Sequence, residues 1–263
     1  MASAWVDPDV AADPRQRALT LRLALSQQTG FPNWRSETGG VLRFQSSPGM
    51  AYGYSGEGYE YARRFVERKL GVSIEPLARR YVFYPFGMTD ASFTKPTGFA
   101  GRVAWPLGPD GKYAAPTFSE TGNAADMLCA TIGDYARFVA GVMSRHGLPD
   151  HFARQRDSIH VLDPGARAMC NARVATRCPD VAGYGLGWAI MKYAASRTDP
   201  AESVVWHTGS DVGARAIAFY FPERHEGAVM FANGANGFDV MIDVGTALFR
   251  ETAFAGYLQS GRH

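Results

Sequence analysis

Between Gly183 and Asn233 the apolar residues alternate with a period of two, and this stretch most constrains the fold. Gly183–Lys192, Ser203–Thr208, Ala214–Phe221 and Gly227–Asn233 read as four strands, the last three joined by short turns. Upstream the apolar spacing is helical. Tyr59, Ala62, Phe65, Val66 and Leu70 predict a helix from Gly58 to Leu70, closed by Gly71. Further helices are expected over 15–28, about 73–84 and from Ile132, where Thr131 stands three residues before Asp134 as an N-cap. A last helix is expected over about 238–253. Residues 31–53, 85–125 and 145–182 read as loop, the last with a short helix. Helices first, then an antiparallel meander closed by a helix, predict an α+β fold: an antiparallel sheet with flanking helices plus a helical region. The expected division is 1–182, mainly helix and loop, and 183–263, sheet and C-terminal helix, interlocked as one domain.

Composition narrows the function. Apolar residues make up 46% of the 263 and charged residues 20%, with a net charge of +2 and no basic block, which gives no reason to expect nucleic acid or an anionic membrane as a partner. No apolar run approaches the ~20 residues of a membrane span. The start, Met1 to Asp9, has neither a basic region nor an apolar stretch, so it does not read as a secretory signal. No Cys or His spacing suggests a metal site, and no cofactor is expected. Of three cysteines, Cys170 and Cys178 either close a small loop or stay unpaired; Cys129 is left over.

Two short runs carry chemistry. Tyr52-Gly53-Tyr54-Ser55-Gly56-Glu57-Gly58 leads into a helix, and Trp206-His207-Thr208-Gly209-Ser210 sits in a strand. With Leu25-Ser26-Gln27-Gln28-Thr29-Gly30-Phe31-Pro32, Pro48-Gly49, Pro85-Phe86-Gly87-Met88-Thr89-Asp90-Ala91-Ser92-Phe93 and Gly183–Trp188, in that order, they resemble the β-lactamase-related serine hydrolases. That group contains class C β-lactamases, D,D-peptidases and β-lactamase-like esterases.

The resemblance implies a β-lactamase/transpeptidase-like fold and hydrolysis of an ester or amide, or of a β-lactam or D-amino-acid peptide, through an acyl-serine. It makes Tyr54 the proton-relaying tyrosine, Thr208 a substrate hydrogen-bonder, Gly209 the point of close substrate approach and Ser210 a backbone donor to the oxyanion. Two residues depart from the pattern. His207 replaces a lysine, and a mostly neutral histidine gives no permanent cation for a β-lactam carboxylate. Gly56 replaces the asparagine that holds the substrate amide. Both departures lean toward an ester- or amide-type small-molecule substrate.

The nucleophile is the missing piece. The family's Ser-x-x-Lys sets both side chains on one helical face ahead of the tyrosine. Here the only serine with a lysine three residues on is Ser92, with Lys95, downstream of Tyr54 and followed by Pro96, which disfavours helix. The chain therefore reads as the portion of such an enzyme that follows its nucleophile helix. Lacking the preceding strands, it is expected to show an unpaired sheet edge and an uncovered apolar groove, and to be unstable, self-associating or complemented by an N-terminal segment. The competing expectation is a non-catalytic protein that binds ligand in the same cleft.

Overall fold

The computed structural model describes residues 1–261 except 2, 3, 95, 96, 100 and 176. Its centre is a six-stranded antiparallel sheet in simple sequence order, β1-β2-β3-β4-β5-β6. The strands are β1 (Val161–Leu162), β2 (Val181–Tyr184), β3 (Ala189–Tyr193), β4 (Glu202–Asp211), β5 (Ala214–Phe221) and β6 (Glu226–Ala232). β6 pairs only with β5, so its outer edge has no strand partner among the described residues.

Helices cover both faces, which is why β5 is apolar at nearly every position. Its Ile217, Phe219 and Phe221 point to the face packed by Met241 of α7 (Gly237–Leu248) and by Phe254, Tyr257 and Leu258 of α8 (Ala253–Ser260). Ala218 and Tyr220 point the other way, into a cluster with Val139 and Val142 of α4 (Ile132–Met143). α4 starts as expected, with Thr131 Oγ1 accepting the Asp134 N–H at 3.1 Å.

The helical region supplies the rest. α1 (Leu21–Leu25) is followed by α2 (Gly56–Leu70), α3 (Ile74–Ala78), α5 (Asp150–Arg156) and the short α6 (Pro164–Ala168). α2 ends at the expected Gly71 but starts at Gly56, two residues before the expected Gly58, because Ser55 caps it. Ser55 Oγ accepts the Gly58 N–H at 2.9 Å, and Gly71 closes the helix in the left-handed region at φ 67°. Tyr61, Ala62 and Phe65 form its buried stripe, whereas Leu70, expected on that stripe, is exposed.

Several expected boundaries move. The helix expected over 15–28 is a 3-10 turn at Pro14–Ala18 and then α1, because Thr20 breaks the run and caps the second piece at the Leu23 N–H. The helix expected over 73–84 passes from α3 into a π-helical turn at Arg79–Phe83. Gly183–Lys192 is not one strand but the hairpin β2–β3, with Gly187 at φ 96° in its turn. The closing helix is two helices broken at Phe249–Thr252, where Thr252 accepts the Ala255 N–H and caps α8. Residues 145–182 hold α5, β1 and α6 besides loop.

Candidate active site

Tyr54 is placed by backbone clamps on both sides of it. The Gly53 N–H donates to the Gln27 carbonyl at 2.9 Å, and the Ser55 N–H to Gln27 Oε1 at 2.8 Å. Gln27 itself holds a positive φ of 59°, uncommon for a side chain of its kind. On the far side, the Gly56 N–H donates to Asn33 Oδ1 at 2.9 Å and the Glu57 N–H to the Asn33 carbonyl at 3.0 Å. Ser55 Oγ donates to the Pro32 carbonyl at 2.7 Å while capping α2. Neither Gln27 nor Asn33 stands out in the sequence as a site residue, since each works on a segment more than twenty positions away. Their signal was adjacency to the Thr29-Gly30-Phe31-Pro32 turn.

The opposite wall is the free end of β4. β3 stops pairing with β4 at Ala189 and Trp206, while β5 continues beside it to the Asp211–Ala214 pair. Asp211 and Ala214 flank a two-residue turn, so they form a hydrogen-bonded pair, as do Gly209 with Ala216 and His207 with Ala218. Thr208 and Ser210 therefore turn their backbone N–H and C=O groups to the side that β3 has vacated. That is the orientation an oxyanion donor at Ser210 requires.

Tyr54 and His207 meet across the gap, with ring centroids 6.1 Å apart. The imidazole also lies 6.2 Å from Tyr184 and 6.5 Å from Trp188, both edge-on. Burial among these rings lowers its pKa below the ordinary histidine value, so it stands neutral. The Tyr54 phenol shifts the wrong way for a base: burial, then the nearby Asp126 carboxylate, raise its pKa. Asp126 is itself raised, by burial and by Asp211.

Tyr54, Gly56, His207, Thr208, Gly209 and Ser210 all border one cleft of about 1080 Å³. Beyond them one part of the wall is apolar, with Phe83, Met88, Phe93, Tyr135, Phe138 and Phe231, and another carries the charged side chains of Asp90, Arg102, Asp126, Asp211 and Arg215. Gly56 itself is buried against Trp34, and a Cβ there would stand 2.6 Å from the indole, so the space an asparagine side chain needs is filled.

Ser92 is elsewhere. It is buried in a bridge with Cys129, its hydroxyl donating to Glu75 Oε1 at 3.1 Å, and does not border the cleft. Lys95 lies outside the described residues. Cys170 and Cys178 are disulfide-bonded, and Cys129 is free. Among the described residues no cluster could hold a metal and no helix is long and apolar enough to cross a membrane.

A model of the β-lactamase family matches residues 3–248. The chain belongs to that family. Solved structures agree on the β-lactamase fold. A class C β-lactamase superposes with a TM-score of 0.68 at 17% identity, covering 97% of this chain and 73% of that one. The octameric penicillin-binding protein homologue from Pyrococcus abyssi gives 0.65 at 18% identity, over 90% of this chain but only 59% of its own length. A D-amino acid amidase from Ochrobactrum anthropi SV3 gives 0.68 at 15% identity, over 95% and 86%. No curated protein matches the sequence.

Proposed function

We propose that this chain furnishes the tyrosine and the substrate wall of an acyl-serine hydrolase acting on an ester or amide. In that chemistry a serine oxygen attacks the carbonyl, its proton passes through Tyr54 to the leaving group, and the Ser210 N–H steadies the oxyanion. Water then cleaves the acyl-serine. The observation carrying this reading is the 6.1 Å approach of Tyr54 to His207 beside the open edge of β4. A neutral His207 in place of a lysine favours an ester or amide without a carboxylate over a β-lactam carboxylate, and the likeness to a D-amino acid amidase agrees with that preference.

This chain alone is inactive in our reading, because among the described residues no cation stands beside Tyr54 to favour its phenolate and Ser92 does not border the cleft. In this reading a segment bearing the serine and lysine complements the chain, whereas self-association would only cover the open edge of β6. The raised Tyr54 pKa also favours a second reading, a non-catalytic protein that binds ligand in the same cleft.

The test is incubation with a fluorescent penicillin and a fluorophosphonate, followed by mapping of any adduct. In parallel, NMR follows the His207 ring during titration with phenylacetamide. No adduct together with shifted His207 resonances is the expected result. An adduct on Ser92 overturns the inactivity, an adduct elsewhere overturns the site assignment, and unmoved His207 resonances overturn the substrate wall.

A further inference from the structure

A second, smaller pocket of about 310 Å³ opens behind the same residues, on the α8 side of β4. Its walls are unusually aromatic: Tyr52, Tyr54, Tyr184, Trp206 and Tyr257 all border it. The rings are set at angles to one another. Trp206 meets Tyr257 at 5.8 Å and 72°, and Tyr52 meets Tyr184 at 6.0 Å and 36°. Such an arrangement offers both ring faces and edges to one small guest.

Among the described residues the pocket wall holds a single side chain of formal charge, Asp163, with no lysine or arginine. Asp163 Oδ1 accepts the Ala166 N–H at 3.0 Å and so caps α6. Its carboxylate makes no salt bridge with any described residue. Its negative field reaches both sides of the cage: after burial, it is the next cause holding the phenols of Tyr52 and Tyr257 protonated, that of Tyr257 pushed up to about 12. The neutral His207 adds no positive charge. Asp163 also shares a side-chain hydrogen bond with Tyr52 but has no cationic partner among the described residues, so the aromatic box with this carboxylate repels anions and attracts a cation through ring quadrupoles and Coulomb attraction together.

We propose that this pocket binds an alkylammonium group, seated among Tyr52, Trp206 and Tyr257 against Asp163. The inference deepens the reading above: the ammonium end of the ester or amide would lodge here while its carbonyl reaches past Tyr54 toward β4. The Trp206 ring borders the pocket, while its Nε1–H is buried and has no acceptor among the described residues.

Binding needs no nucleophile, so it is tested independently of hydrolysis. The probe is choline, compared by calorimetry and by the Trp206 indole NMR signal with its neutral isostere 3,3-dimethylbutan-1-ol. Choline is expected to bind at least about tenfold more tightly than the alcohol. Asp163→Asn keeps a capping oxygen for α6 and is expected to erase that preference. Tyr257→Leu is expected to weaken choline about tenfold, with the melting temperature checked for both variants. Equal binding of choline and the alcohol overturns the proposal, as does absence of choline binding or an unchanged preference in Asp163→Asn. Loss of this inference leaves the hydrolase reading intact, whereas choline binding with unmoved His207 resonances on phenylacetamide would preserve the cage and remove the substrate wall.

Discussion

Tyr54 and His207 come from opposite ends of the chain, yet their rings face each other at 6.1 Å, with Tyr184 and Trp188 closing around the imidazole. The loop before α2 brings one and the free end of β4 brings the other. Dehydration by this packing has a thermodynamic signature. The folded state disfavours the imidazolium, so the pKa of His207 is lower folded than unfolded. As pH falls below about 6.5, the unfolded chain takes up a proton that the folded chain resists, and stability declines until the folded pKa is passed. His207→Gln removes that proton. The urea midpoint of the wild type is expected to fall more than that of the variant between pH 7.5 and 5.5. Parallel losses in both proteins would show that the histidine is not desolvated.

Ser55 couples the cleft to the helical region. It is fully buried, accepts the Gly58 N–H and donates to the Pro32 carbonyl. Ser55→Ala removes the cap and strands a buried carbonyl, a combined cost of about 2 kcal/mol. For a chain of this size that lowers the melting temperature by about 4–8 °C. A change within 1 °C, on the order of measurement error, would mean that water replaces both contacts.

The contrast between Thr131 and Gln27 shows what can be read from a sequence and what cannot. The Gly71 stop and the Thr131 cap are local, each satisfied within one helical turn, and the end of α2 and the start of α4 stand where the sequence put them, while the Ser55 cap starts α2 two residues before the expected Gly58. β5 matches its expected bounds because alternation and two short turns define it from inside. Elsewhere the deciding contact is distant or small. Gly185 and Gly187 fold Gly183–Lys192 into a hairpin without any of the polar residues that mark turns. Thr20 and Thr252 divide expected helices by capping a second one. Gln27 and Asn33 act on the Tyr54 segment through bonds that only the fold creates. Tyr54 and His207–Ser210 were legible as motifs, but the aromatic cage was not. Its walls come from five separate segments, and no spacing rule joins Tyr52 to Tyr257.

Gly56 and Trp34 occupy one space. A Cβ added at Gly56 meets Trp34 ring atoms at 2.6 and 2.9 Å, so the indole must swing away from the cleft wall that both residues border. Gly56→Ala is expected to cost about 1–2 kcal/mol and to shift the tryptophan emission. In a Trp34→Ala background the clash is gone, and the same change becomes neutral or stabilising because alanine favours helix over glycine. Additive effects in this double-mutant cycle would show that the two residues do not compete.

The Cys170–Cys178 disulfide holds the segment between α6 and β2, with Cα atoms 5.6 Å apart. Cys170 packs against the sheet core, and Met169 beside it borders the aromatic pocket. Closing so short a loop removes unfolded-state entropy worth about 2–3 kcal/mol. Reduction is therefore expected to lower the melting temperature by about 5–10 °C, and Cys170→Ser/Cys178→Ser to reproduce the drop and respond no further to reductant. Because Met169 loses its tether, choline binding in the double variant is also expected to weaken, by about threefold or more, through entropy spent reordering the wall. Identical melting with and without reductant would place the two thiols apart in solution and remove the restraint from that side of the cage.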